Sequence, residues 1–88
     1  MKVPDDHEEG IIRLHATSLA ELIVEQKLAA LTVDLKQNRL ERIRDEIGYM
    51  NDYVIQIFED EYSSARRRFL ERVTAKVPVN KQQGTRMK

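Results

Sequence analysis

The chain has 88 residues, no cysteine, and fifteen acidic against fifteen basic side chains. This length allows one small domain with a thin margin of stability. The missing cysteines exclude disulfides and thiolate metal sites. No apolar run approaches the ~20 residues of a membrane span, and no basic segment precedes an apolar core at the N-terminus. We therefore expect a cytoplasmic protein without a membrane partner.

The charge is unevenly distributed along the chain. Residues 66–88 contain eight basic side chains and one acidic side chain, for a net charge of +7, and the remaining residues carry −7. The chain therefore has an acidic body and a basic end.

The first predicted element is a helix over about residues 7–36, after a flexible acidic arm at 1–6. Asp5 can serve as its N-cap, and Glu8 stands where a capping box places an acid. Ser18 and Glu21 offer a second possible start. One apolar stripe continues across Ser18 and favours an unbroken helix; its members are Ile12, Ala16, Leu19, Ile23, Ala30 and Val33.

A second apolar stripe adjoins the first one on this helix. It consists of Ala20, Val24, Leu28, Leu31 and Leu35. Two stripes make a wide apolar face, so we expect this helix to contact both the second helix and another subunit. A single wide contact with the second helix is the alternative.

A tight turn is predicted at residues 36–38. Asn38 tolerates the left-handed conformation and is a good N-cap, with Glu41 as the acid of a capping box. The alternative is one unbroken helix from Leu19 to Val77.

The second predicted helix spans about residues 39–77 and would be about 60 Å long. Its apolar positions recur at helical spacing: Leu40, Ile43, Ile47, Met50, Val54 and Ile57, then Phe58, Tyr62, Ala65, Phe69, Val73 and Val77. Gly48 is either tolerated there or marks a close approach or mild bend. Val77 before Pro78 ends the helix, and residues 78–88 form a basic disordered tail.

Together these elements predict an all-α fold, a coiled-coil-like antiparallel hairpin with a long second helix. So long a helix cannot bury its stripe against so short a chain, so we expect a homo-oligomer or a helical partner. The predicted helix–helix interface consists of Leu28, Leu31, Leu35, Leu40, Ile43, Ile47, Met50, Val54, Ile57, Phe58, Tyr62 and Phe69.

The sequence offers no catalytic, cofactor or metal site. His7 and His15 lack the spacing of a zinc motif, and the carboxylates lie on faces expected to be solvated, among basic residues at helical spacing. We expect neither an enzyme nor a small-molecule substrate.

The basic run near the end of the second helix is the candidate binding site. Arg66, Arg67, Arg68, Arg72 and Lys76 could contact the phosphates of a nucleic acid or an acidic partner. The alternative is that these cations only complement the helix dipole.

The order of features resembles the helical assembly hairpin of small terminase subunits from lambda-like phages. The resemblance rests on the segment 20–31, the polar turn, and the run Arg66-Arg67-Arg68-Phe69-Leu70 before a Val-Pro exit. It implies an assembly element of a DNA-packaging factor in the host cytoplasm, with DNA or a large subunit as partner. No winged helix-turn-helix precedes the hairpin, so no DNA-reading residue is carried over.

Two functions follow as expectations. The first is a non-enzymatic helical assembly module, in its narrowest form a phage DNA-packaging factor. The alternative is a small helical chaperone or adaptor that binds a partner's amphipathic helix, as secretion chaperones do.

Overall fold

The computed structural model describes residues 2–76, with side chains described through Thr74. It contains helix α1 (Asp6–Gln26), a 3-10 turn (Ala29–Leu31), helix α2 (Thr32–Ile47) and helix α3 (Asp52–Lys76). No strand occurs within residues 2–76. The prediction of an all-α fold is confirmed, but the described part has three helices instead of two.

Helix α1 lies between the other two. Contacts of Glu8 with Tyr49 and of Ser18 with Arg39 show that α1 and α2 run antiparallel. Arg13 reaches Glu61 near the middle of α3, and the ends of α1 and α3 meet on one side, so these two helices run parallel. The described residues therefore form an up-down-up bundle.

The start of α1 agrees with the predicted capping box. Asp5 Oδ1 accepts a hydrogen bond from the backbone N–H of Glu8 (2.8 Å), and Glu8 Oε1 accepts one from the N–H of Asp5 (3.1 Å). The helix continues through Ser18, whose Oγ donates to the carbonyl of His15 within the helix. A helix start at Ser18 is therefore wrong.

The first helix ends ten residues earlier than predicted. Lys27 adopts the left-handed conformation (φ 57°), and the backbone N–H of Leu28 donates to the carbonyl of Ile23. The predicted turn at 36–38 is wrong, because these residues lie inside α2. Lys36 is half-buried there, and its Nζ lies 2.7 Å from Glu59 Oε1 of α3. Its charge therefore serves a contact between α2 and α3 and does not indicate a turn.

The second correction concerns Gly48, which ends α2 instead of lying within a long helix. Its φ is 89°, and its N–H donates to the carbonyl of Arg44. Glycine takes this left-handed conformation without steric cost. Asn51 Oδ1 then accepts from the backbone N–H of Val54 at the start of α3. The predicted helix over 39–77 is therefore split, and its length no longer argues for a second subunit.

The core is built from all three helices. Its buried apolar members are Ile12, Ala16, Leu19, Ala20 and Ile23 of α1, Ile43 of α2, and Val54, Phe58, Tyr62, Ala65 and Phe69 of α3. The wide face of α1 is thus covered by two helices of the same chain. Ala30 and Val33, which the first stripe included, are exposed because the chain has already left α1.

The predicted interface residues lie mostly in or against this core. Ile43, Val54, Phe58, Tyr62 and Phe69 are buried, and Leu28, Leu35, Leu40, Ile47, Met50 and Ile57 are half-buried against them. Leu31 differs, since 48% of it is exposed on the 3-10 turn.

The segment before α1 packs on the bundle, which differs from the predicted flexible arm. Pro4 is buried, and Asn51 Nδ2 donates to the carbonyl of Lys2 at 2.8 Å. Lys2 Nζ also lies 4.9 Å from the centre of the Tyr49 ring. The predicted helix end at Val77 and the predicted tail at 78–88 lie outside the described residues. Of the helices described, none combines the length and apolar character of a membrane span.

Candidate interaction surface

An open groove lies where the last turns of α3 run past the connection between α1 and α2. Its volume is about 840 Å³. We call it the α3 groove; it is lined by Ala29, Thr32, Tyr62, Ser63, Arg66, Arg67, Leu70, Glu71 and Thr74. Its walls are therefore both apolar and basic.

The groove exists because the helices end at different levels. Helix α1 stops at Gln26 and the chain folds back through the 3-10 turn, whereas α3 continues to Lys76. Leu70 and Val73, in these last turns, are each about two-fifths exposed. The apolar pattern of α3 thus continues beyond the part that α1 and α2 cover.

The three consecutive arginines have different environments. Arg68 lies against Glu61, two turns earlier on α3, with its Nη2 3.5 Å from Glu61 Oε2. Arg66 and Arg67 instead line the groove, and neither forms an ion pair with a carboxylate of the described residues. A helix turns by about 100° per residue, so Arg66 and Arg68 lie on opposite sides of α3 and three consecutive side chains cannot all share one face. The predicted site is therefore divided between a structural contact and the groove.

The remaining predicted contact residues are Arg72 and Lys76. The Arg72 guanidinium lies 5.0 Å from the centre of the Phe69 ring, a cation–π geometry. Lys76 is the last residue of α3, and its side chain lies outside the described residues. Arg66 and Arg67 remain as the two cations that the groove presents to a partner.

Glu61 joins α1 to α3 next to the groove. Its carboxylate lies 2.9 Å from Arg13 Nη1 and accepts a hydrogen bond from Thr17 Oγ1 at 3.2 Å, besides the contact with Arg68. Only 18% of the Glu61 side chain is exposed. Burial raises the pKa of Glu61, but hydrogen bonds from Arg13, Thr17 and Arg68 together lower it below the ordinary value.

Tyr62 forms part of the groove wall and carries an unusual hydroxyl. The residue is 4% exposed, and its Oη has no hydrogen-bond partner among the described residues. Its ring stacks on Phe58 with centroids 6.3 Å apart, and Lys36 Nζ lies 4.4 Å from the ring centre. Periodicity identified Tyr62 as an apolar interface residue but did not reveal the unpaired hydroxyl.

Two connected polar contacts hold α2 on α1, away from the groove. His15 is buried, with Nε2 2.9 Å from Glu46 Oε2, and Arg39 Nη1 donates to the carbonyl of His15. Burial lowers the pKa of Arg39, and the nearby charge of Arg42 lowers it further. Glu46 stands four residues after Arg42, a spacing that favours an ion pair within α2, but in the bundle Glu46 contacts His15 instead.

No described cluster of three His, Asp or Glu side chains could hold a metal ion. The arrangement of the groove suits binding, since it combines hydrocarbon, guanidinium and hydroxyl groups in an open cleft. No protein-family model matches the chain, and neither a characterised protein nor a solved structure does.

Proposed function

We propose that the chain is a non-enzymatic helical assembly module whose α3 groove binds an amphipathic, acidic segment of a protein partner. The observation that carries this proposal is the position of Arg66 and Arg67 beside Leu70, on an open groove and without a described carboxylate partner. This proposal covers both functions expected from the sequence, the assembly module and the adaptor, because either would bind its partner through the α3 groove.

The chemistry of the groove favours a helix with two faces. Leu70 and Ala29 offer apolar contact area, and a helix presents apolar side chains at i, i+3 and i+4 to such a groove. Arginine forms bidentate contacts with carboxylates and is frequent among the residues that dominate binding energy. An acidic polar face on the partner would satisfy Arg66 and Arg67.

A nucleic acid fits the same surface less well. Phosphate strips use several cations together, whereas Arg68 is held by Glu61 and Arg72 lies over Phe69. Glu71 adds a negative charge to the groove, and residues 1–65 carry −7. Charge repulsion from that body would oppose an approaching duplex.

The narrower role of phage DNA packaging rests on the sequence resemblance to small terminase subunits. Within that role the groove would serve the contact with another subunit or with the large-subunit partner. The resemblance also implies contact with DNA, so the experiment includes a DNA probe.

The experiment uses two probes with the full chain. One is a synthetic helical peptide of about five turns with a leucine face and a glutamate face; the other is a duplex DNA of about 20 base pairs. We expect the peptide to shift the NMR signals of Leu70, Arg66 and Arg67. Arg66→Gln with Arg67→Gln should weaken peptide binding by about tenfold or more, since both charge contacts are lost.

Arg68→Gln is the matched control. It removes one charge from the same run, against two in the double variant, and from a side chain that faces Glu61, so peptide affinity should change by less than about twofold. If the chain bound the duplex but not the peptide, the partner of the groove would be a nucleic acid and the proposed protein partner would be wrong. An equal loss of binding free energy per charge removed in the two variants would show that net charge, and not the groove, drives binding.

A further inference from the structure

The two ends of the bundle carry opposite charges. The groove end, formed by residues 27–31 and 66–74, has five basic groups and one acidic group, for a net charge of +4. The opposite end, formed by residues 2–9 and 48–53, has one basic group and five acidic groups, for a net charge of −4. We call them the basic end and the acidic end; the length of α1 separates them by about 30 Å.

The acidic end also exposes apolar surface. Val3 is 61% exposed, and Tyr53 is about half exposed in the first turn of α3. Asp6 and Asp52 stand at the starts of α1 and α3 and form no ion pair within the described residues. The segment before α1 is held in place by the hydrogen bond between Lys2 and Asn51. This end is therefore an ordered surface with apolar and acidic groups side by side.

We propose that the acidic end of a second copy of this chain occupies the α3 groove, so that the protein assembles head to tail. The inference rests on the proposed function and names the partner of that groove. Asp6 and Asp52 of one copy would face Arg66 and Arg67 of the next, while Val3 and Tyr53 would cover Leu70. Charge complementarity selects this pairing and sets its register.

The chain's own C-terminal residues do not fit the groove by charge. Residues 77–88 contain Lys81, Arg86 and Lys88 and no acidic residue, so they would repel Arg66 and Arg67. Two groove ends would repel each other for the same reason. The contact must therefore join different surfaces, and such heterologous contacts generate rings or open chains.

The test uses two variants that each disable one end. Asp6→Lys with Asp52→Lys brings the acidic end to a net charge of zero, and Arg66→Glu with Arg67→Glu does the same for the basic end. At low salt and up to about 1 mM protein, the wild-type mass should increase with concentration in sedimentation velocity. Each variant alone should remain at 10.3 kDa.

An equimolar mixture of the two variants provides the decisive measurement. The intact basic end of one should bind the intact acidic end of the other, and the disabled ends should stop growth at a heterodimer of twice the chain mass. Raising the salt from about 50 to 500 mM should dissociate it, because the charges lie at the surface. Arg68→Gln is the control and should assemble like the wild type.

Three results would overturn the inference: a wild type that stays monomeric at all concentrations, a mixture that stays monomeric, or variants that assemble alone. Circular dichroism establishes that each variant is helical; if the lysine variant is not, Asp6→Asn with Asp52→Asn replaces it. A monomeric wild type that still binds the acidic peptide at Arg66 and Arg67 would refute self-assembly and leave the proposed function intact.

Discussion

Glu61 of α3 and Arg13 of α1 form an ion pair whose atoms lie 2.9 Å apart, in the middle of the contact between these helices. The same carboxylate accepts a hydrogen bond from Thr17 and meets Arg68. The pKa of Glu61 is thereby lowered although its burial opposes this change. One carboxylate thus links the packing of the bundle to the arginine run beside the groove.

The first prediction is that Glu61 makes the free energy of unfolding depend on pH. A carboxylate with a depressed folded-state pKa stabilises the fold above its ordinary pKa of about 4.3, and this contribution is lost as the pH falls through the folded-state pKa. Urea unfolding should therefore show a loss of wild-type stability below about pH 4.3. Glu61→Gln should be less stable by about 1 kcal/mol at pH 7 and should show a shallower loss below pH 4.3. Parallel pH curves for the two proteins would contradict this role.

The second prediction concerns the unpaired hydroxyl of Tyr62. Tyr62→Phe removes a buried polar group without a described partner and keeps the ring, so unfolding should require equal free energy or up to about 1 kcal/mol more. Tyr49→Phe is the matched control, because Tyr49 Oη donates to Glu8 Oε1 at 3.1 Å; this variant loses that hydrogen bond and should be less stable than the wild type. A clearly destabilised Tyr62→Phe would mean that the hydroxyl has a partner in solution.

The third prediction uses substitutions at two glycines to distinguish the three-helix bundle from the two-helix hairpin predicted from the sequence. Gly48→Ala should cost about 1–2 kcal/mol in thermal or urea unfolding, because the left-handed conformation at φ 89° is unfavourable for alanine. Gly10→Ala lies inside α1 with open space around it and should stabilise by about 0.5–1 kcal/mol. If Gly48 lay within one long helix, both substitutions would stabilise the protein, and that result would refute the break at Gly48.

The fourth prediction compares two isoleucines one helical turn apart on α2. Ile43 is buried in the core and Ile47 is half-buried at its edge. Ile43→Ala should cost about 2–5 kcal/mol, the range for a fully enclosed side chain, and Ile47→Ala clearly less. Equal losses at both positions would indicate that another surface covers Ile47 in solution.

The sequence alone determined the helical class, the start of α1 and most of the core residues. These features depend on residues three or four positions apart: Asp5 with Glu8 at the cap, and Ile12, Ala16 and Leu19 along one face. Local hydrogen bonds and helical periodicity suffice to predict them.

Where the chain reverses direction was decided by the tertiary structure. Lys27 has no local property that favours the left-handed conformation, and it adopts that conformation where α2 folds back to bury Ile43 against α1. Tertiary burial outweighs such local preferences because it contributes several kcal/mol, whereas a propensity difference contributes less than about 1 kcal/mol per residue. The same packing assigns Arg68 to Glu61 and leaves Arg66 and Arg67 on the groove. Three identical letters cannot distinguish these arginines. Arg68 meets Glu61 of its own helix, which Arg13 of α1 holds in place, whereas Arg66 and Arg67 lie beside the connection between α1 and α2.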